Sequence, residues 1–222
     1  MKDNIIFTAY FCSTRDPQRE KYWEADYMSL ILPLYDSVER LGLKMVVFHD
    51  NLSEESQKHY TTDNINFEYY RPTGNILTQR FYCYLDYLAD HVYDKVLCLD
   101  SWDTEVYKDP FPLIDNKILV GSEGGIIRDS QFMHNWFKRA YGGSVFMDEQ
   151  ILNCGILGST YHGMVNLLTL FKKETELMRG NVDMAVFNKL LHGGIAYTTG
   201  YPIHTKFWEE EGPESGCYIR HK

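Results

Sequence analysis

Short apolar runs of strand length alternate with longer stretches whose apolar residues recur at helical spacing, and this alternation constrains the fold more than any other feature. Ile5-Ile6-Phe7-Thr8-Ala9-Tyr10-Phe11, Lys44 to His49, Phe67-Glu68-Tyr69, Lys95-Val96-Leu97-Cys98-Leu99, Lys117 to Gly121 and Gln150 to Leu157 read as strands. A polar loop, Cys12 to Glu20, follows the first. Tyr27, Leu30, Ile31, Leu34, Val38 and Leu41 then mark one helical face, which Pro33 kinks or delays and Gly42 ends. Leu77, Phe81, Tyr84, Leu85, Leu88 and Val92 mark a second face, and further helices are expected at about 161–178 and 182–192. Strands apolar on both faces need cover on both. The prediction is an α/β fold, with a mostly parallel central sheet and helices on both faces. A length of 222 residues suits a single domain, and no internal repeat divides it.

In such sheets ligands gather beyond the carboxyl ends of the strands. Acidic residues cluster there: Asp50 after the second strand, Asp100 and Asp103 after the fourth, and the Asp148-Glu149 turn shortly before Asn153. Composition narrows the partner. Twenty-two Lys and Arg against 31 Asp and Glu give a net charge of −9, which argues against a nucleic acid or an anionic membrane surface. No apolar run reaches the ~18 residues that a membrane span needs, and Ile5-Ile6-Phe7 is too short for a signal peptide. Five scattered cysteines with no CxxC pair read as reduced thiols in a cytoplasmic protein without structural zinc. Phosphate-loop, serine-elbow and HExxH patterns are missing from the sequence. Gly121-Ser122-Glu123-Gly124-Gly125 reads as a strand-end turn lining the site.

The sharpest segment runs from Tyr93 to Phe111. A buried strand delivers Asp100 and Asp103, three positions apart, into the loop Asp100-Ser101-Trp102-Asp103, followed by Val106-Tyr107 and Asp109-Pro110-Phe111. Hard divalent cations want oxygen ligands, and one bound to a diphosphate takes one or two carboxylates from its protein. An acidic strand-end turn capping Thr104 is the other reading of the same residues.

This segment resembles the metal-binding strand end of GT-A fold, nucleotide-sugar-dependent glycosyltransferases, those similar to family 8 included, with a DxxD in place of the strict DxD. The resemblance implies one Rossmann-related domain over 1–222, its nucleotide-binding part about 1–110 and its acceptor and sugar part about 111–222. It implies transfer of a hexosyl or related sugar from a nucleotide-diphosphate-sugar donor, a UDP-sugar by preference, to a glycan or other hydroxyl acceptor, with Mn²⁺ or Mg²⁺ as cofactor. Asp103 is then the favoured metal ligand. Asp100 serves the metal, the ribose or the sugar. A late His completes the set, His221 being preferred to His204.

Arg80 stands where the family's donor-contacting Arg stands, and Asn153-Cys154-Gly155 resembles its N-x-G strand, which lies beside the sugar. Thr8, Tyr10 or Phe11, and Asp50 fall where the nucleotide base and ribose are held, with Arg15 a second phosphate candidate. Asn181-Val182-Asp183-Met184 to Asn188 is similar to the family's D-Q-x-x-x-N helix start, with Met184 replacing Gln; Asp183 either caps that helix or faces the site. An inverting reaction needs a carboxylate base, for which Asp148, Glu149 and Asp183 are the candidates; the N-x-G and Asp183 segments are slightly more similar to retaining members. The tail, 193–222, with Tyr197, Tyr201, Phe207, Trp208 and Tyr218 among several glycines, is either a lid over the donor or a wrap over the core. A non-catalytic nucleotide- or sugar-binding domain of the same fold is the alternative. A sugar nucleotidyltransferase is a lesser one, since Thr8 to Arg15 lacks glycine.

Overall fold

Successive side chains of a strand leave on opposite faces, and this chain supplies apolar residues to both. Its computed structural model describes residues 3–15, 22, 28–206, 209 and 211–221; Tyr27, Asp16 to Glu20, Phe207, Trp208 and Lys222 lie outside the described residues. The elements are, in chain order, β1 (Ile5–Tyr10), α1 (Met28–Arg40), β2 (Met45–His49), α2 (Glu54–Tyr60), β3 (Ile65–Tyr69), α3 (Ile76–Asp90), β4 (Lys95–Leu99), β5 (Thr104–Val106), β6 (Ile118–Ile126), α4 (Gln131–Tyr141), β7 (Gln150–Thr160), α5 (Tyr161–Thr175), α6 (Asp183–His192), β8 (Tyr197–Thr199) and β9 (Ile219–His221).

Seven strands form one sheet in the order β3-β2-β1-β4-β7-β6-β8. Neighbours pair in parallel except at β7, which runs antiparallel to both β4 and β6. Because β4 pairs with β7, the two parts of the chain share one sheet. Ile5, Phe7, Val46, Phe48, Val96 and Cys98 face a core built with α3, α4, α5 and α6. Their neighbours Ile6, Met45, Val47, Leu97 and Leu99 face the opposite core, built with Ile31, Leu34 and Val38 of α1. The expected α/β architecture with helices on both faces is therefore present.

Three features differ from the sequence reading. Helix α1 continues through Pro33. Helix α4 escapes the periodicity argument because only Met133, Trp136 and Phe137 of its residues are buried; its ends are nevertheless marked, by Ser130 accepting the Met133 N–H and by Gly142 at φ 77°. The tail contributes two strands that the sequence reading does not include. β8 joins the sheet edge, and β9 pairs antiparallel with β5 in a separate two-stranded ribbon. The outer edge of β5 is satisfied by α1: the Val106 N–H donates to Ser37 Oγ at 3.0 Å, and Arg40 Nη2 donates to the Val106 carbonyl at 3.3 Å.

Candidate functional site

β4 is buried on both faces up to Leu99, and the chain turns out of the sheet at Asp100. The Asp100 N–H still donates to the Gly155 carbonyl of β7 at 2.9 Å, and the Thr104 hydroxyl donates to the Asp100 carbonyl. These bonds close residues 100–104 into a tight loop that brings Asp103 back beside Asp100. β5 follows at once, and its register with β9 sets Thr104 opposite His221. Asp100, Asp103 and His221 thus each present one potential ligand atom, all within 4.8 Å of one another. His221 Nε2 lies 4.0 Å from Asp100 Oδ2.

The floor of this cluster is Gly155. A Cβ there would stand 2.6 Å from Asp100 Oδ2 and 2.8 Å from the His221 ring, so any larger residue would have to displace the carboxylate or the imidazole. His221 is 1% exposed. Burial pushes its imidazole down to about 4, against the attraction of Asp100, so at neutral pH it is an uncharged nitrogen base.

Arg80, in the second turn of α3, adjoins the cluster. Asn75 starts this helix by accepting the Leu77 N–H. Arg80 Nη1 pairs with Asp100 Oδ1, while Nη2 lies 3.4 Å from Asp183 Oδ2 and 3.5 Å from Cys154 Sγ. Burial alone would lower the guanidinium pKa, but Asp100, Cys154 and Asp183 together hold it above its ordinary value. Asp183, the first residue of α6, is 2% exposed, and burial pushes it up to about 6 despite Arg80. Burial likewise keeps Cys154 a thiol. With Oδ1 of Asp100 turned to Arg80, Oδ2 is the oxygen that faces His221. Asp183 takes the Met184 N–H of its own helix as well as facing Arg80 and Cys154, so it both caps α6 and borders the cluster.

On the other side, the Gly155 N–H donates to Asn153 Oδ1 at 2.7 Å, and Asn153 Nδ2 donates to Glu123 Oε1 at 3.0 Å. The Glu123 carboxyl is raised by burial, with Asn153 opposing. Glu123 lines a pocket of about 430 Å³ together with Ser122, Gly124, Tyr201, Thr205 and Lys206. The sequence offered a signal for Glu123 in the Gly-rich run 121–125. That run is an irregular part of β6, with register shifts against β7 on either side of Gly121-Ser122.

Other candidates fall elsewhere. Thr8 is wholly buried in the middle of β1, and Tyr10 packs in the core beneath α1, so neither presents a surface to a nucleotide. Phe11 packs against Tyr70, with ring centroids 5.9 Å apart. Asp50 accepts the Cys12 and Ser13 N–H groups at 2.9 and 3.0 Å and the Ser13 hydroxyl, and so anchors the chain leaving β1. Arg15 is exposed at the margin of the described residues. Asp148 is 78% exposed and paired with Arg128, and Glu149 lies 3.8 Å from His192 Nδ1. Asp148 and Glu149 precede β7, and their ion-pair partners are Arg128 and His192 rather than members of the cluster.

His204 is not a ligand either. Its Nε2 accepts the Ser122 N–H at 3.0 Å and its Nδ1 donates to the Thr205 carbonyl at 2.6 Å. Asn188, the last residue of the helix-start motif, is spent on structure. Its side chain bonds both the N–H and the carbonyl of Leu152, at 2.9 and 2.8 Å, tying α6 to β7. No helix among the described residues is long and apolar enough to cross a membrane. Compared with protein-family models and with curated proteins, the chain matches none.

Proposed function

We propose that the protein is a metal-dependent glycosyltransferase, moving a sugar from a nucleotide-diphosphate-sugar, by preference a UDP-sugar, to a hydroxyl of a glycan or similar acceptor. The observation that carries this reading is the convergence of Asp100, Asp103 and His221 within 4.8 Å at the carboxyl end of β4. The donor set fits a cation such as Mn²⁺: two carboxylates and a neutral imidazole over a glycine floor that a methyl group would fill. When bound, the cation would neutralise charge on the departing diphosphate. The sheet geometry supports the reading, since the cluster lies where an open α/β sheet receives ligands.

The chain's own groups have separable tasks. Arg80 fixes Asp100 through one nitrogen and brings a permanent positive charge to the edge of the cluster, suited to a phosphate or sugar oxygen. Asn153 spends its amide on Gly155 and Glu123, so it shapes the floor. Glu123 faces the adjoining pocket, and we assign its carboxylate to the acceptor hydroxyl. In the transfer, the acceptor oxygen bonds to the anomeric carbon and the bond from that carbon to the diphosphate oxygen breaks. The acceptor proton leaves to a carboxylate or to the departing diphosphate.

The test is calorimetry with UDP-glucose, UDP-galactose and GDP-mannose, with and without Mn²⁺, followed by turnover measurements. Asp103→Asn should abolish Mn²⁺-dependent donor binding while changing stability by no more than about 1 kcal/mol, as expected for a partly exposed loop position. Donor binding that ignores both Mn²⁺ and Asp103 would sink the reading. Binding without any turnover would point to a non-catalytic domain of the same fold.

A further inference from the structure

The ligands of the cluster come from two places that the sheet does not join: Asp100 and Asp103 from the loop after β4, His221 from β9. β9 has three residues, and so does its partner β5. An isolated two-stranded ribbon is marginally stable at best. β5 is fastened on its outer edge by Ser37 and Arg40 of α1. β9 has its own fastening, made by His204 and Thr205. Thr205 is wholly buried; its N–H donates to the Ile219 carbonyl at 2.9 Å. Its hydroxyl oxygen accepts the His221 N–H at 3.2 Å, and the hydroxyl points back to the His221 carbonyl at 3.5 Å. The Ile219 N–H donates to the Ile203 carbonyl at 3.0 Å.

His204 ties this segment to the main sheet. Its Nδ1–H holds the Thr205 carbonyl, and its Nε2 accepts the Ser122 N–H of β6. One tautomer satisfies both bonds, so the ring has a single orientation.

We propose that His204 and Thr205 form a latch that positions the His221 imidazole over Asp100 and Asp103; this rests on the reading that those three residues hold a divalent cation. Thr205 is a positioning residue. It touches the backbone of His221, and its hydroxyl replaces the bonds that a neighbouring strand would give. Without it this edge is held by the backbone bonds of Tyr218 and Ile219 to Pro202, Ile203 and Thr205, none of which reaches His221, and the imidazole loses its fixed distance to the carboxylates. Outer partners of this kind change metal affinity without touching the metal.

The test uses the full chain and Mn²⁺ alone, with affinity read by electron paramagnetic resonance and calorimetry, and with hydrogen exchange of the His221 amide measured in EDTA. Thr205→Val keeps the shape and removes the hydroxyl. It should weaken Mn²⁺ binding about 10- to 100-fold, the usual effect of losing an outer-shell partner, and speed exchange at His221. Thr205→Ser should restore both. His204→Phe, which cannot hold Ser122, should reproduce the loss.

Equal Mn²⁺ affinity in wild type and Thr205→Val would overturn the latch while leaving the metal reading intact. Failure of the wild type to bind Mn²⁺ at all would overturn the metal reading and the latch with it. A loss in Thr205→Val that comes with a collapsed melting temperature and is not rescued by Thr205→Ser would show a general structural role, and would also overturn the latch.

Discussion

Gly155 shows how little room the site has. Gly155→Ala would drive a methyl group to 2.6 Å from Asp100 Oδ2 and 2.8 Å from the His221 ring. Either the carboxylate and imidazole move apart or β7 shifts. Overpacking of this kind costs about 1–3 kcal/mol, and the expected outcome is a lower urea midpoint together with Mn²⁺ affinity reduced at least tenfold. An unchanged affinity in calorimetry would show that the cluster is not packed on this glycine.

The two perturbed groups beside it, His221 and Asp183, act in opposite directions with pH. Burial lowers His221 from 6.5 to about 4, so the unfolded chain takes up a proton first, and stability falls as pH drops from about 6.5 to 4. Burial raises Asp183 from 3.8 to about 6, so the folded state takes up a proton first, and its contribution rises as pH drops from about 6 to 3.8. Each amounts to about 3 kcal/mol, at about 1.4 kcal/mol per pH unit. In wild type the two largely offset. Asp183→Asn leaves only the His221 component, so in EDTA its stability should fall more steeply than wild type between pH 6.5 and 4 in urea titrations. Parallel pH profiles of the two proteins would refute the assignment.

Among the elements, β9 decides between the two readings of the tail. It is paired with β5, supported by an Arg220–Glu105 ion pair at 3.1 Å, and held on its other edge by Thr205. Residues 217–221 are therefore built into the fold as a wrap. Their amides should be equally protected from exchange with and without UDP and Mn²⁺. A large gain of protection on binding would restore the lid reading. Helix α6 has a comparable structural role through Asn188. Asn188→Leu would leave the Leu152 N–H and carbonyl buried without partners, at roughly 1–3 kcal/mol for each group. Chemical unfolding should show a loss of several kcal/mol, the largest among the substitutions considered.

Taken as a whole molecule, the proposed cation site would link cation binding to folding, because Asp100, Asp103 and His221 come together only when β4, β5 and β9 are all in place. At a free Mn²⁺ concentration of 100 times Kd, the gain is about 2.7 kcal/mol. For a chain of this length that corresponds to a melting temperature higher by roughly 5–10 °C. EDTA should remove the shift, and Asp103→Asn should never show it. A melting temperature indifferent to Mn²⁺ in the wild type would contradict a native cation site here.

The strand–helix alternation was legible because period-2 and period-3.6 patterns are local, and so was the delivery of Asp100 and Asp103 to a strand end by the buried run Val96 to Leu99. Asp100, Asp103, Gly155, Arg80 and Asp183 could be nominated from sequence, and the structure brings them together with His221. Other choices depended on pairings across long stretches of chain. His221 and His204 are both late histidines in apolar surroundings. Only the register of β9 on β5, and the capture of His204 by Ser122, separate the one over the cluster from the one that fastens the tail. Thr8 and Tyr10 sit at a strand end in sequence, yet the sheet buries them; Asp148 and Glu149 sit close to Asn153 in sequence, yet their ion-pair partners are Arg128 and His192 rather than members of the cluster. Glu123 was marked only by the Gly-rich run around it, and Thr205 by no periodicity or motif, because their bonds to Asn153 and His221 form only when β6, β7 and the tail meet.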